Sequence, residues 1–558
     1  MEAANGSRQT TTPHTSATTQ IVGPMSLYAS HSPKLSLTGS FASSLNLAEY
    51  QQQEVEEGRA RERLQQSPRI DERTPLKPLP QDERELSPSI SSSSTTLNVT
   101  LLVTILVVTL GSSFQFGYAT GVMNNAEAYI MAFYHEQGKE YTLIGWGTTV
   151  SSYGIGGLVG SVIGPKFIGR YCGRRTTLLW NNAFLFIGNW AIAQGKEWWQ
   201  QAIGRIFTGI VAGISTSVVP TYFSEISPIA SRGAVGTMHQ LGITVGILIS
   251  QALSTPSLNL LGSVERWQWL FFVPCVTGVL ELCVLPFCPE SPSYLFSTEG
   301  EASARRTLQR LLPCSESVDE YLDNIRSEAS ASQSHTKTTM SVVELFQERS
   351  LRKQLIVGIT CQLMMQFSGI DAVFYYSTTV FYQAGVSDPE LATTCLGVIN
   401  VIITIIAVKF MDSAGRKTLL TWSWIGLFIS FSILTMSFVF KPYVDWMDQV
   451  SVAATTGVVV FFAFGPGCIA WFIIAEIFPL YARDTAMTVG IFINWGANWL
   501  VAFSFPHLLE YTQPYTFLTF VTTALFFLYF TLRFVPETMG LTVAQITEEF
   551  KSVPLWTC

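Results

Sequence analysis

Charge is what this sequence has least of. Of its 558 residues only 13% are Asp, Glu, Lys or Arg, roughly half the share found in ordinary soluble domains, while 48% are hydrophobic. A soluble enzyme or a nucleic-acid-binding module is not written this way, and the chain is read as a polytopic membrane protein. The nine cysteines are scattered with no CxxC pair, which excludes a disulfide framework and a zinc site. The six histidines are equally dispersed, and no metal or cofactor is expected. A Gly-x-x-x-x-Gly-Lys-Ser/Thr phosphate loop is missing, which argues against a nucleotide-driven pump. No nucleophile with an adjacent base appears, which argues against an enzyme. No signal peptide opens the chain, so the first span is expected to act as its own insertion signal. The formal charge of −7 says little about partners, because distribution matters more than sum.

What the chain does have is a succession of apolar runs. Residues 1–96, rich in Ser, Thr, Pro, Gln and charge, are read as a disordered cytosolic tail. Its Ser-Pro and Thr-Pro steps at Thr12, Ser32, Ser67, Thr74 and Ser87 could take phosphate. From Leu97 the composition changes, and about 20 apolar residues suffice to cross the hydrocarbon core. Twelve spans are expected, near 98–122, 146–168, 177–195, 201–223, 236–256, 268–287, 353–383, 391–411, 418–440, 452–477, 486–509 and 515–534. They divide into a first six-helix bundle (97–289), a charged helical linker (290–350), a second bundle (351–536) and a short tail (537–558). Lys166, Arg170, Arg174, Arg175, Arg232, Lys409, Arg416, Lys417 and Arg483 fall on one side with the linker. The positive-inside rule then makes both termini cytosolic. The sequons at Asn5 and Asn98 would lie on the wrong side for glycosylation and are read as chance.

Two features go beyond topology. Gly169-Arg-Tyr-Cys-Gly-Arg-Arg175 between spans two and three has a counterpart in Asp412-Ser-Ala-Gly-Arg-Lys417 between spans eight and nine. A parallel six-span repeat of this kind is a transporter architecture with its site between the halves. Span seven, meanwhile, carries Gln362, Gln366, Asp371, Tyr375 and Tyr376 around Gly369 in a long apolar run. Polar side chains at bilayer depth are costly and usually mark a functional path; interhelical glue is the plainer alternative.

With these features in view, the chain from 98 to 550 resembles the sugar-porter branch of the major facilitator superfamily, and within it the animal facilitative glucose transporters. The resemblance rests on Gly111-Ser-Ser-Phe-Gln-Phe-Gly-Tyr-Ala-Thr-Gly-Val122, Gly204-Arg205, Val219-Pro-Thr-Tyr-Phe-Ser-Glu225, Arg232-Gly233 and His239-Gln-Leu-Gly-Ile243. It rests equally on Val284-Leu-Pro-Phe-Cys-Pro-Glu-Ser-Pro292, the span-seven stretch, Gly465-Pro-Gly467 with Trp471, Asn494-Trp495 and Pro536-Glu-Thr538.

The resemblance implies an all-α fold of twelve transmembrane helices in two bundles, and downhill transport of a sugar. It implies sugar contacts at Gln240, Gln366, Asp371, Asn400, Trp471, Asn494 and Asn498, with Phe374, Tyr375 and Phe462 lining or gating the path. Amides suit hydroxyl recognition because each offers donor and acceptor without charge. Gly465, Pro466 and Gly467 should break span ten, Pro by removing a donor and Gly by bending at little cost. Arg174, Arg175, Glu225, Arg232, Glu290, Arg416, Glu476, Arg483 and Glu537 would form a cytosolic charge latch. Gly169 is taken to stand where the family has Asp or Asn, weakening the first latch.

Three pocket positions depart from the glucose-transporter pattern: Met365 for a glutamine, Ala463 for a glutamate and Asp371 for an asparagine. Ala119 stands where proton-coupled relatives carry a first-span aspartate, so uniport is expected. The alternatives are a proton symporter using Asp371, carriage of fructose, a polyol or another small polar solute, and a non-transporting sugar sensor. The implied partners are a small sugar and the lipid bilayer, no nucleic acid, with the plasma membrane as the expected home; oligomeric state is unknown.

Overall fold

The computed structural model describes residues 98–552 except 165–168, 229–231, 313–317, 327–339, 412–413, 540 and 542. The phosphorylatable tail, the Asn5 sequon and Asp412 therefore lie outside the described residues. Among the described residues there is helix and no strand. In the first half the long helices are α1 (Val99–Glu136), α2 (Leu143–Ile163), α3 (Arg174–Gln194), α4 (Trp198–Ile226), α5 (Arg232–Ser254) and α6 (Trp267–Phe287). Short helices Pro292–Thr298, Glu301–Leu311 and Val342–Gln347 follow. The second half has α7a (Arg352–Phe367), α7b (Ile370–Ala384), α8 (Pro389–Met411), α9 (Arg416–Phe440), α10a (Met447–Phe464), α10b (Pro466–Ile477), α11 (Leu480–Thr512) and α12 (Leu518–Phe534).

Among the described residues, eight stretches are by themselves long and apolar enough to span a membrane: α1, α4, α6, α7a with α7b, α8, α9, α10a with α10b through Trp471, and α11. Helix α2 is diluted by glycine and serine for a packing reason. A Cβ on Gly156 would come within 2.0 Å of the Ile206 carbonyl oxygen on α4, one on Gly160 within 2.3 Å of that of Ile210, and one on Gly209 within 2.1 Å of that of Tyr153. Only bare backbone allows α2 and α4 this approach, as small residues do generally between membrane helices. Helices α1 and α5 are fitted in the same way, with a Cβ on Gly117 only 1.8 Å from the Ile243 carbonyl oxygen.

Helix α1 runs fourteen residues beyond its expected end at residue 122. The polar residues just beyond 122 are satisfied within the helix packing. Asn125 Nδ2 donates to the Gln251 carbonyl at 3.1 Å, and Asn124 and Glu127 bond to α7b. Asn98 is committed too: its side chain caps α1 by accepting from the Thr100 N–H and donates to the Arg310 carbonyl.

Spans seven and ten are interrupted. Helix α7a stops at Phe367, and Gly369 takes φ +82°, a left-handed value that favours glycine, before α7b begins. Helix α10a ends at Phe464, and Gly465 turns the chain with φ −125°, ψ −95° into α10b. Pro466 fits at that first helical position because its missing N–H would have no partner there.

Candidate functional site

Polar side chains on either side of the break in α7 meet those of α11. Gln366 Nε2 donates to Asn494 Oδ1 at 2.8 Å, and Asn498 Nδ2 donates to Asp371 Oδ2 at 3.0 Å. Asn498 also reaches Gln366 Oε1 at 3.5 Å and Tyr375 Oη at 3.4 Å. All five side chains are buried, so each bond excludes water and an unpaired group here would cost on the order of 1–3 kcal/mol. Asp371 lies in the first turn of α7b, where the helix dipole favours negative charge.

A second tie joins α7a to α10b. Gln362 Nε2 donates to the Ala470 carbonyl at 2.7 Å, while Gln362 Oε1 has no hydrogen-bond partner among the described residues. Trp471 follows directly, and its buried indole N–H is likewise without a partner. The arrangement therefore presents one unmatched acceptor and one unmatched donor beside a mixed amide and carboxylate set. Such a surface suits a neutral ligand carrying several hydroxyls.

Of the sequence-predicted binding residues, Gln366, Asp371, Asn494 and Asn498 come together as one hydrogen-bonded group with Tyr375, and Trp471 lies beside their Gln362 neighbour. Gln240 is half-buried on α5 and Asn400 buried on α8, outside that group. Met365, the substituted position, still touches the site through its sulfur, 3.5 Å from Asn494 Nδ2. Phe374 and Phe462 are buried, and Ala463 is too. A Cβ on Gly467 would come within 2.7 Å of the Phe462 ring, and one on Gly465 within 2.2 Å of Ser423 Oγ.

The charged residues at the basic-loop end fall into two matched clusters. Arg174 pairs with Glu225 at 2.8 Å in the first half, and Arg416 with Glu476 at 2.9 Å in the second. Glu290 Oε1 accepts the backbone N–H groups of Arg174 and Arg175 at 2.9 and 3.0 Å; Glu537 accepts those of Arg416 and Lys417 at 2.8 and 3.1 Å. Each glutamate thus caps a helix start in trans. Gly173 and Gly415 precede those starts at φ +82° and +77°. Taking these glycines as equivalent, the residue three places earlier is Arg170 in one half and Asp412 in the other. The missing acid therefore corresponds to Arg170 and not to Gly169. Arg175 bonds carbonyls, Cys288 at 2.9 Å and Pro286 at 3.2 Å, instead of joining a carboxylate. Arg483 is half-buried in the first turn of α11, and Arg232 opens α5 with its side chain outside the described set.

Three features escaped the sequence reading. At the end remote from the basic loops the halves are stitched by Asn124 Nδ2 to Ser377 Oγ (2.8 Å), Thr378 Oγ1 to Asn125 Oδ1 (2.7 Å), Thr379 Oγ1 to Glu127 Oε2 (2.8 Å) and Thr255 to Thr394 (2.6 Å). Adjacent asparagines late in a span were the available signal. Glu281 on α6 is buried between Ser112 Oγ (2.7 Å) and Asn182 Nδ2 (3.0 Å), inside the first half. Arg205 on α4 is fully buried, its Nη1 donating to the Ala119 carbonyl at 2.6 Å and its guanidinium 4.5 Å from the Tyr153 ring centroid. Its Nε and Nη2 have no partner among the described residues.

Comparison with known proteins bears on all of this. The model for the family "Sugar (and other) transporter" matches residues 104–550. Solute carrier family 2, facilitated glucose transporter member 3, of Homo sapiens is 38% identical over 458 residues, covering 79% of this chain and 90% of that protein. Its Canis lupus familiaris counterpart is also 38% identical, with 79% and 91% covered. Among solved structures, the xylose transporter XylE from E. coli in a partially occluded inward-open conformation aligns with a TM-score of 0.67 and 24% identity, covering 79% of this chain and 99% of that one. That last likeness shows the fold.

Proposed function

The chain belongs to the sugar-transporter family, among the facilitative glucose transporters, and on that footing we propose that it carries a hexose, glucose first, downhill across the plasma membrane by alternating access. It is accordingly a multi-pass membrane transporter and not an enzyme. The observation that carries the reading is the buried group Gln366, Asn494, Asn498 and Asp371 at the break of α7, with the unmatched Trp471 N–H and Gln362 carbonyl beside it. Sugar hydroxyls would pair with these atoms, and Gln240 and Asn400 would complete the contacts from α5 and α8.

In this reading the bundles 97–289 and 351–536 rock about the site, with the tail 1–96, the linker 290–350 and residues 537–558 on the cytosolic side. The stitched end around Asn124 and Ser377 would be the closed outer gate; Phe374, Tyr375 and Phe462 would line the path, and the Gly465–Gly467 break would let α10b swing. The two glutamate-capped clusters, with Arg232 and Arg483, would serve as the latch. Several such contacts can bias an equilibrium whose gap is a few kcal/mol.

Uniport is favoured over proton coupling because Arg205 meets a backbone carbonyl at Ala119, where a titrating partner would need a carboxylate. Cargo other than glucose is favoured by one observation: Asp371, bound to Asn498, puts a carboxylate into the set. The test is uptake of labelled D-glucose into proteoliposomes, with and without an inward proton gradient, with fructose, galactose and L-glucose as competitors. Saturable, stereospecific uptake that stops at equal concentrations supports the uniporter, and the competitor order sets the cargo. Gradient-driven accumulation would overturn uniport, and sugar binding without flux would leave a sensor.

A further inference from the structure

Gln251 lies on α5 where that helix meets α8, at the seam between the two halves. Its backbone is fully engaged: the carbonyl accepts from Asn125 Nδ2 at 3.1 Å, from Ser254 Oγ at 3.1 Å and from Thr255 Oγ1 at 2.8 Å. Its side chain is the opposite case. Gln251 is 1% exposed, and neither Oε1 nor Nε2 has a hydrogen-bond partner among the described residues. An amide brings an acceptor and two donors, and leaving such groups unpaired away from water is costly.

The facing helix shows how the amide is held. Oε1 lies against Gly397 of α8, where a Cβ would come within 2.4 Å of it. A glycine makes room for the amide and has no side chain to pair with it. About one turn away, Thr255 of α5 and Thr394 of α8 bond at 2.6 Å. The contact that pairs the threonines therefore isolates the glutamine.

We propose that Gln251 is a built-in counterweight to the stitched end: its amide is isolated only while α5 and α8 stay in contact there, and parting of the two helices gives it partners. The stitching bonds favour contact, and the isolated amide opposes it. Gln251 follows Gln240 by eleven residues on α5, about three turns and so nearly the same face of the helix. Once freed, the amide shares the path assigned to Gln240, where water or a sugar hydroxyl can pair with it. That last step rests on the transport reading above; the cost of the isolated amide at the seam does not.

The test uses the full-length protein in nanodiscs. Gln251→Met keeps the length of the side chain and removes both polar groups, whereas Gly397→Ala crowds the amide. An apolar group in place of an isolated polar one stabilises the arrangement around it. Gln251→Met should therefore raise the thermal unfolding midpoint and slow deuterium uptake over 250–256 and 389–397 about fivefold, since uptake reads local opening. Gly397→Ala should speed uptake over the same segments, and adding Gln251→Ala should largely reverse that. Faster uptake or a lower midpoint in Gln251→Met would show that the amide is paired and would overturn the proposal, as would a Gly397→Ala effect that Gln251→Ala leaves untouched. In proteoliposomes Gln251→Met should lower the maximal rate of glucose uptake, and an unchanged rate would remove the seam's part in transport. If the unaltered protein carries no glucose, deuterium uptake and unfolding still decide the counterweight.

Discussion

The two halves of the molecule use one device at the basic-loop end and opposite strategies inside. Gly173-Arg174-Arg175 with Glu290 repeats as Gly415-Arg416-Lys417 with Glu537, down to a left-handed glycine and a glutamate accepting two consecutive N–H groups. Away from that end the first half is locked by helices in backbone contact at Gly117, Gly156, Gly160 and Gly209, and it folds its buried Glu281 inward upon Ser112 and Asn182. The second half breaks α7 and α10 and joins its amides between α7 and α11. Duplicated topology thus does not imply duplicated construction: one half is packed as a block, and the other is broken within two of its helices.

The sharpest way to break this comparison is glycine replacement. Gly209→Leu or Gly156→Leu in the first half should remove folded protein, because the new Cβ meets backbone at 2.1 and 2.0 Å and overpacking costs roughly 1–3 kcal/mol or more. Gly490→Ala on α11, whose Cβ meets the movable tip of Ile474 at 2.4 Å, should be tolerated. Monodispersity by size exclusion and thermal unfolding read the difference; equal losses would end the contrast in packing between the halves.

Next in size is recognition. Gln366→Ala or Asn498→Ala should raise the KM for sugar about tenfold through loss of a buried hydrogen bond, whereas Glu281→Gln in the first half should leave KM where it is. An altered KM in Glu281→Gln would show that the buried Glu281 group also bears on recognition. Smaller again, Pro466→Ala with Gly467→Ala should lower the maximal uptake rate with little change in KM; an unchanged rate would remove the hinge role of α10. Smallest are the caps: Glu290→Gln and Glu537→Gln should shift the inward–outward balance by about 1 kcal/mol each. Accessibility of a single reporter cysteine to a membrane-impermeant reagent measures that shift, and unequal effects would show that the two clusters only look alike.

Much of this was legible beforehand because membrane helices obey a short list of rules. Span number and the breaks at Gly369 and Gly465 follow from apolar length and from Gly and Pro, and the clustering of Gln366 with Asn494 and Asn498 from the family resemblance. The end of α1 is not legible in its own residues, because what makes Asn124, Asn125 and Glu127 tolerable inside a span is their partners on α5 and α7b. The latch was misregistered by one residue, since only the backbone shows that Gly173 answers Gly415. Arg175 was assigned to carboxylates but bonds carbonyls at the end of α6, a choice fixed by where α6 stops. Glu281 was invisible as a paired group because its partners lie 169 and 99 residues away.

Arg205 carries a last consequence. A guanidinium that does not give up its proton sits within the spans, held by one carbonyl and a tyrosine face. Were the sugar to pass beside it, this fixed positive charge would repel any small cation seeking to cross with it, as fixed positive groups do in other pores. A carrier so furnished can pass a neutral solute at every cycle without short-circuiting the membrane voltage.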